Sequence, residues 1–158
     1  MVPLGLVRFR FPGLPETPGI CCAFTTRRGG ESSGPYHGAN LSFDVGDAPS
    51  AVSANRRALA RALSLSAFCE LKQVHGDALH LDPQPADLQA FCSGPATREG
   101  DALATDSPGV ALCIKTADCQ PILLAHSQCR FVAALHAGWR GNVLGLPQSA
   151  IERLCAHY

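Results

Sequence analysis

Charge of one sign is missing from this sequence: thirteen Lys and Arg stand against thirteen Asp and Glu, for a formal net charge of zero. With no basic run to neutralise phosphates along a duplex or to dock on an anionic bilayer, nucleic acid and membranes are poor partners. Long apolar runs are lacking too, none approaching the roughly 20 residues of a bilayer-spanning helix. The opening MVPLGLVRFRFPGLP breaks on Pro and Arg before a signal-peptide core can form. These lacks point to a soluble, unexported, cytoplasmic protein. Cysteine is present but sparse: eight in 158 residues falls below the roughly 8–10% of a disulfide-built scaffold, so most are expected as reduced thiols. Cys21, Cys22 and Cys113 sit in apolar runs and are expected to act as small hydrophobes.

What is present suffices for a packed domain, because 46% of the residues are hydrophobic and a chain of this length can bury a core. The run Gly19 to Phe24 reads as a strand entering a Gly-supported turn at Thr25 to Gly30. Asp47 and Pro49 mark a helix start, after which Val52, Leu59 and Leu63 share one side. Leu71–Val74 and Ala78–Leu81 flank His75-Gly76-Asp77 and predict a strand pair or a bulged strand. Residues 82–100 read as a Pro- and Gly-rich loop with one helical turn around Asp87 to Phe91. Strands are expected at Ala102–Thr105, Val110–Lys115 and Pro121–Ala125, the last turning through His126-Ser127-Gln128 into Arg130–Leu135 as an antiparallel hairpin. A final helix is expected to start at Pro147, where a first-turn Pro is tolerated. The pattern is that of a mixed α/β protein.

Three blocks gather ligand-type residues at strand ends: Gln73-Val74-His75-Gly76, Thr116-Ala117-Asp118-Cys119-Gln120-Pro121 and His136-Ala137-Gly138-Trp139-Arg140-Gly141. His75, Cys119 and His136 offer two imidazoles and one thiolate, a three-ligand set for a zinc with an open fourth position. Their spacing carries no local metal signature, and each His reads equally as a hydrogen-bonded strand-end residue.

These blocks, with Thr25 to Gly30, Ala39-Asn40-Leu41 to Val45-Gly46-Asp47, Asn55-Arg56 and Gly100 to Thr105, occur in an order that resembles the laccase-domain family, also called purine nucleoside phosphorylase or peptidoglycan-editing-factor proteins. The resemblance spans the chain from about Ile20 onward. It implies a single α/β domain, a mixed sheet with flanking helices of the laccase-domain (cytotoxic-necrotizing-factor-like) type, with a metal held by His75, Cys119 and His136. Zinc is the implied cofactor and copper the alternative. The implied activity is phosphorolysis of adenosine, inosine and methylthioadenosine, with adenosine deamination besides. Family members run on for several strands beyond the helix after the HAGWRG block. Residues 1–18 are therefore expected as an N-terminal segment and 19–158 as a domain incomplete at its C-terminus, marginal in stability, weak in turnover and prone to self-associate, for instance as a homodimer.

A metal in the His75–Cys119–His136 set would lower the pKa of water to about 7 for attack on a purine carbon. The H-x-E and P-C-x-x-C deaminase signatures are absent, which leaves Asp118 as the candidate proton shuttle; a turn cap is its other reading. Phosphorolysis requires an anion cradle, for which Arg27, Arg28 and Arg140 are candidates, while Asn40 and Gln73 could read ribose hydroxyls or base edges. Multicopper oxidation fits poorly: no two of the six histidines stand two apart, and the single Met is Met1. A Cys–His hydrolase, with Cys119 as nucleophile and His136 or His75 as base, acting on peptidoglycan precursors, is the alternative enzyme. A binding role without catalysis is the remaining reading.

Overall fold

The computed structural model describes residues 4–9, 20–88 and 91–158. Within the expected N-terminal segment only Leu4 to Phe9 are described, and the remainder of 1–18 lies outside the described residues. The chain divides into two compact units, Met1–Ser66 with Gln89–Pro95, and Ala67–Leu88 with Ala96–Tyr158.

In the first unit, β1 (Leu6–Phe9) pairs antiparallel with β2 (Cys22–Thr25), Leu6 opposite Thr25. Helix α1 (Pro49–Leu63) opens on Pro49, as the sequence predicts, because a first-turn Pro gives up no intrahelical bond. Asp47 does not cap it across the first turn. Its carboxylate accepts from Ser32 Oγ at 2.6 Å and Asn40 Nδ2 at 2.9 Å, and these two bonds hold its pKa below the usual carboxylate range. The buried face of α1 carries Val52 and Leu59 but also Asn55 and Arg56. Asn55 is satisfied by the Glu31 amide at 2.7 Å and by Asn40 O at 2.8 Å. The Arg56 guanidinium lies 4.6 Å from the Phe43 ring and 4.7 Å from the Phe91 ring while donating to Leu41 O and Phe91 O. Helix and loops are thus tied together by polar groups inside the unit, where bonds to a charged donor are worth about 1.5–3 kcal/mol each.

The second unit is built on a four-stranded sheet of β4 (Leu79–Leu81), β5 (Ala102–Thr105), β8 (Val132–Ala137) and β7 (Gln120–Ala125), in that order. β4 runs parallel to β5, whereas β5–β8 and β7–β8 are antiparallel. The sequence-predicted hairpin is present, closed by His126 N to Phe131 O at 3.0 Å. Every residue of β5 is buried, so its side chains alternate between two covered faces. Ala102 and Ala104 join Leu79, Ala133 and Leu135 beneath α4 (Leu146–His157), whose Leu146, Ala150 and Leu154 complete that cluster. Leu103 faces the other way, onto Cys69 and Leu71. Those residues belong to a second layer, in which β3 (Ala67–Glu70) pairs parallel with β6 (Val110–Cys113), with the short α2 (Pro85–Leu88) beside β3. Within β5, the small Ala102 and Ala104 face α4 and the larger Leu103 faces the second layer.

Two expectations are corrected here. Leu71–Val74 does not pair with Ala78–Leu81; β3 ends at Glu70 and lies in a different sheet from β4. The amides that would continue a ladder, those of Val74, His75 and Gly76, are captured by the Asp101 carboxylate, and His75 turns to a left-handed φ of 61°. Nor is Cys21 a buried hydrophobe, since it is exposed, with Cys22 and Cys113 half-buried. The fully buried thiol is Cys69, where desolvation, and then the nearby Asp87 charge, push the pKa up to about 12.

Candidate metal centre

Three segments of the second unit end at one place. His75 sits at the top of the left-handed turn after β3, Cys119 immediately precedes β7, and His136 is the penultimate residue of β8. The pairing of β7 with β8 sets Pro121 opposite His136, which brings the Cys119 end of one strand over the His136 end of the other. One ligand atom from each of His75, Cys119 and His136 lies within 4.8 Å of the other two. The two imidazoles meet edge to face with centroids 4.8 Å apart. His136 is buried, Cys119 half-buried and His75 exposed, so the cluster opens to solvent on the His75 side.

The donor set fits a borderline metal. Zinc with bonds of about 2.0–2.3 Å keeps tetrahedral ligand atoms roughly 3.3–3.8 Å apart, so closing the set by about 1 Å at its widest satisfies the geometry. His136 Nδ1 is 2.8 Å from Asp101 Oδ1, which leaves Nε2 for the cluster. Gly138 leaves the space: a Cβ there would lie 3.1 Å from His75 Cδ2 and 3.2 Å from Cys119 Sγ. Burial, then the charge and hydrogen bond of Asp118, then the charge of Asp101, push the Cys119 thiol above its ordinary pKa.

The other sequence-predicted residues are placed as follows. Asp118 is exposed beside Cys119. Arg140 is exposed in α3 (Trp139–Val143), two residues beyond Gly138, its guanidinium 5.2 Å from the Trp139 ring. Gln73 is half-buried and spends its amide on the backbone of Lys115, donating to the carbonyl and accepting from the amide, both at 2.8 Å. It thereby carries the β3–β6 pairing past the strand ends toward Cys119. Arg27 and Asn40 belong to the first unit, where Arg27 Nη2 donates to His37 O at 3.0 Å and Asn40 is bonded to Ser42 and Asp47. Arg28 is exposed on the same turn as Arg27. Asp101 escaped the sequence reading as a site residue: it stands in the block Gly100 to Thr105, and a lone Asp at a strand start carries no spacing signal.

A family model described as multi-copper polyphenol oxidoreductase laccase matches residues 21–158. The chain is 46% identical over 149 residues to a protein of Deinococcus radiodurans named purine nucleoside phosphorylase, covering 90% of this chain and 54% of that one. It is 37% identical over 143 residues to the Escherichia coli protein named purine nucleoside phosphorylase YfiH, covering 89% and 55% of the two chains. The crystal structure of YlmD from Geobacillus stearothermophilus superposes with a TM-score of 0.73 at 35% identity, over 85% of this chain and 51% of that one. The chain spans about half the length of the curated relatives it matches.

Proposed function

Because this chain belongs to the family described as multi-copper polyphenol oxidoreductase laccase, and its relatives carry the name purine nucleoside phosphorylase, we propose that it is a metal-dependent purine nucleoside phosphorylase that cleaves adenosine, inosine and methylthioadenosine, and also deaminates adenosine. The observation that carries this reading is the convergence of His75, Cys119 and His136 within 4.8 Å. Zinc suits two imidazoles and a thiolate, with copper as the alternative. When bound, the ion supplies a Lewis acid and makes water more acidic.

The chain's own groups then divide the work. Asp118, exposed beside Cys119, takes a proton from the attacking water and returns one to the departing ammonia in deamination. In phosphorolysis a phosphate oxygen attacks the anomeric carbon and the purine leaves with its bonding pair. Arg140, exposed near the cluster in α3, offers a two-pronged donor to the phosphate. Arg27 and Asn40 spend their side chains within the first unit, Arg27 on His37 O and Asn40 on Ser42 and Asp47. Gln73, with its amide committed to Lys115, acts by fixing the loop that carries Cys119.

The test is metal content with product analysis. Purified protein is expected to hold about one divalent ion per chain, and Cys119→Ala to lose most of it. Incubation with inosine and phosphate should release hypoxanthine and ribose 1-phosphate above the Cys119→Ala background. Equal metal in the wild type and Cys119→Ala would sink the assignment. Base released at the same rate without phosphate would point to hydrolysis instead.

A further inference from the structure

We propose that Asp101 is the positioning residue of this centre, orienting both histidines before any ion arrives; the proposal rests on the reading of His75, Cys119 and His136 as metal ligands. Asp101 is fully buried and its carboxylate meets four donors. Oδ1 accepts the His75 amide at 2.9 Å and faces His136 Nδ1 at 2.8 Å. Oδ2 accepts the amides of Gly76 at 2.8 Å and Val74 at 3.2 Å. One side chain therefore binds the backbone around the first histidine and the ring of the second.

Each contact has a definite consequence. Three successive amides aimed at one carboxylate hold the turn that keeps His75 at φ 61°, a left-handed conformation that a non-glycine residue keeps only where its surroundings impose it. An ionised carboxylate only accepts, so the proton between Asp101 and His136 sits on Nδ1, and the Nε2 lone pair is left for the cluster. Asp101 itself is held by main chain: its amide donates to Ala78 O at 3.0 Å and its carbonyl accepts the His136 amide at 2.7 Å.

The experiment is a cobalt(II) titration of the full, metal-stripped chain, read by thiolate-to-cobalt charge-transfer absorption. Wild-type protein should show the band, and Asp101→Asn should need about 10–100-fold more cobalt to reach it. An asparagine that turns its Nδ2 toward His136 forces the imidazole proton onto Nε2, where it blocks the ligand atom. Equal cobalt affinity in Asp101→Asn and wild type overturns the proposal. No band in wild type overturns the metal reading, and the proposal along with it. Should Asp101→Asn fail to fold, nitrogen-15 NMR of the metal-free wild type decides: His136 in the Nδ1–H form supports the proposal, and the Nε2–H form overturns it.

Discussion

Gly138 has less steric freedom than its place beside an exposed tryptophan suggests. It is buried, and an added methyl would press on the His75 ring at 3.1 Å and the Cys119 sulfur at 3.2 Å, so both would have to shift by tenths of an ångström. Gly138→Ala is accordingly expected to weaken metal retention several-fold while leaving the melting temperature of the metal-free protein within a few degrees. Unchanged metal content after dialysis against a weak chelator would show that the pocket yields more easily than its geometry implies. Arg140 makes the opposite case. Its guanidinium is exposed over Trp139, so removing it disturbs little packing. Arg140→Ala should raise the phosphate concentration needed for phosphorolysis more than it slows deamination, because only phosphorolysis must hold a dianion. An equal fall in both activities would make Arg140 structural.

At the level of elements, α4 is fastened at both ends by different means. Leu146 and Leu154 are buried under the sheet with Leu135, and Leu154→Ala should cost about 2–5 kcal/mol in denaturant unfolding. The C-terminal end is held by Asp82, which accepts from Tyr158 Oη at 2.6 Å and faces His157 Nε2 at 2.8 Å. Burial alone would raise the Asp82 pKa, but the hydrogen bonds from Tyr158 and His157, with the His157 charge, outweigh it and hold the carboxyl below its usual range. Tyr158 is shifted upward, first by burial and then by its bond to Asp82. The signs are opposite. The contribution of Asp82 is present above an unfolded-state pKa of about 3.9 and is lost as pH falls through the lower folded value. That of Tyr158 is present below about 10 and is lost as pH rises through its higher folded value. Thermal melts of wild type and Asp82→Asn should differ at neutral pH and converge in acid. Curves that stay parallel down to pH 2 would mean that Asp82 contributes nothing by charge. Because Asp82 and His157 are partly exposed, the gap should be modest and shrink with salt.

Across the whole molecule, the cluster and its supports, His75, Asp101, Cys119, His136 and Gln73, all fall in the second unit. A ligand that binds only the folded state stabilises by mass action, about 2.7 kcal/mol at a hundred times its Kd. Zinc should therefore slow amide exchange at residues 74–76, 101 and 136–138 by about a hundredfold under those conditions, with little change in α1. The buried polar network of Asn55 and Arg56 in α1 bonds to Glu31, Asn40, Leu41 and Phe91, all of the first unit. Uniform protection across both units would show that they unfold together, and no protection near Asp101 would count against metal binding there.

Strand and helix types were legible wherever one physical signal dominated. Pro49 and Pro147 announced two helix starts through their fixed φ and missing donors, and the polar turn at 126–130 between apolar runs announced the hairpin. The family blocks named His75, Cys119 and His136 as one set. Three things waited on the tertiary structure. Spacings as wide as those between these residues say nothing about distance, which β7–β8 pairing and the β3–β4 turn decide. Leu71–Val74 reads as strand by composition, and only a distant carboxylate, 25 to 27 residues along the chain from residues 74–76, takes up the amides that a ladder would use. Gln73 shows the same limit. Its residue type invites a ligand role, yet the parallel β3–β6 pairing places it opposite the main chain of Lys115, where its amide is consumed. Local sequence sets which groups a segment can offer; long-range pairing sets which of them remain unspent.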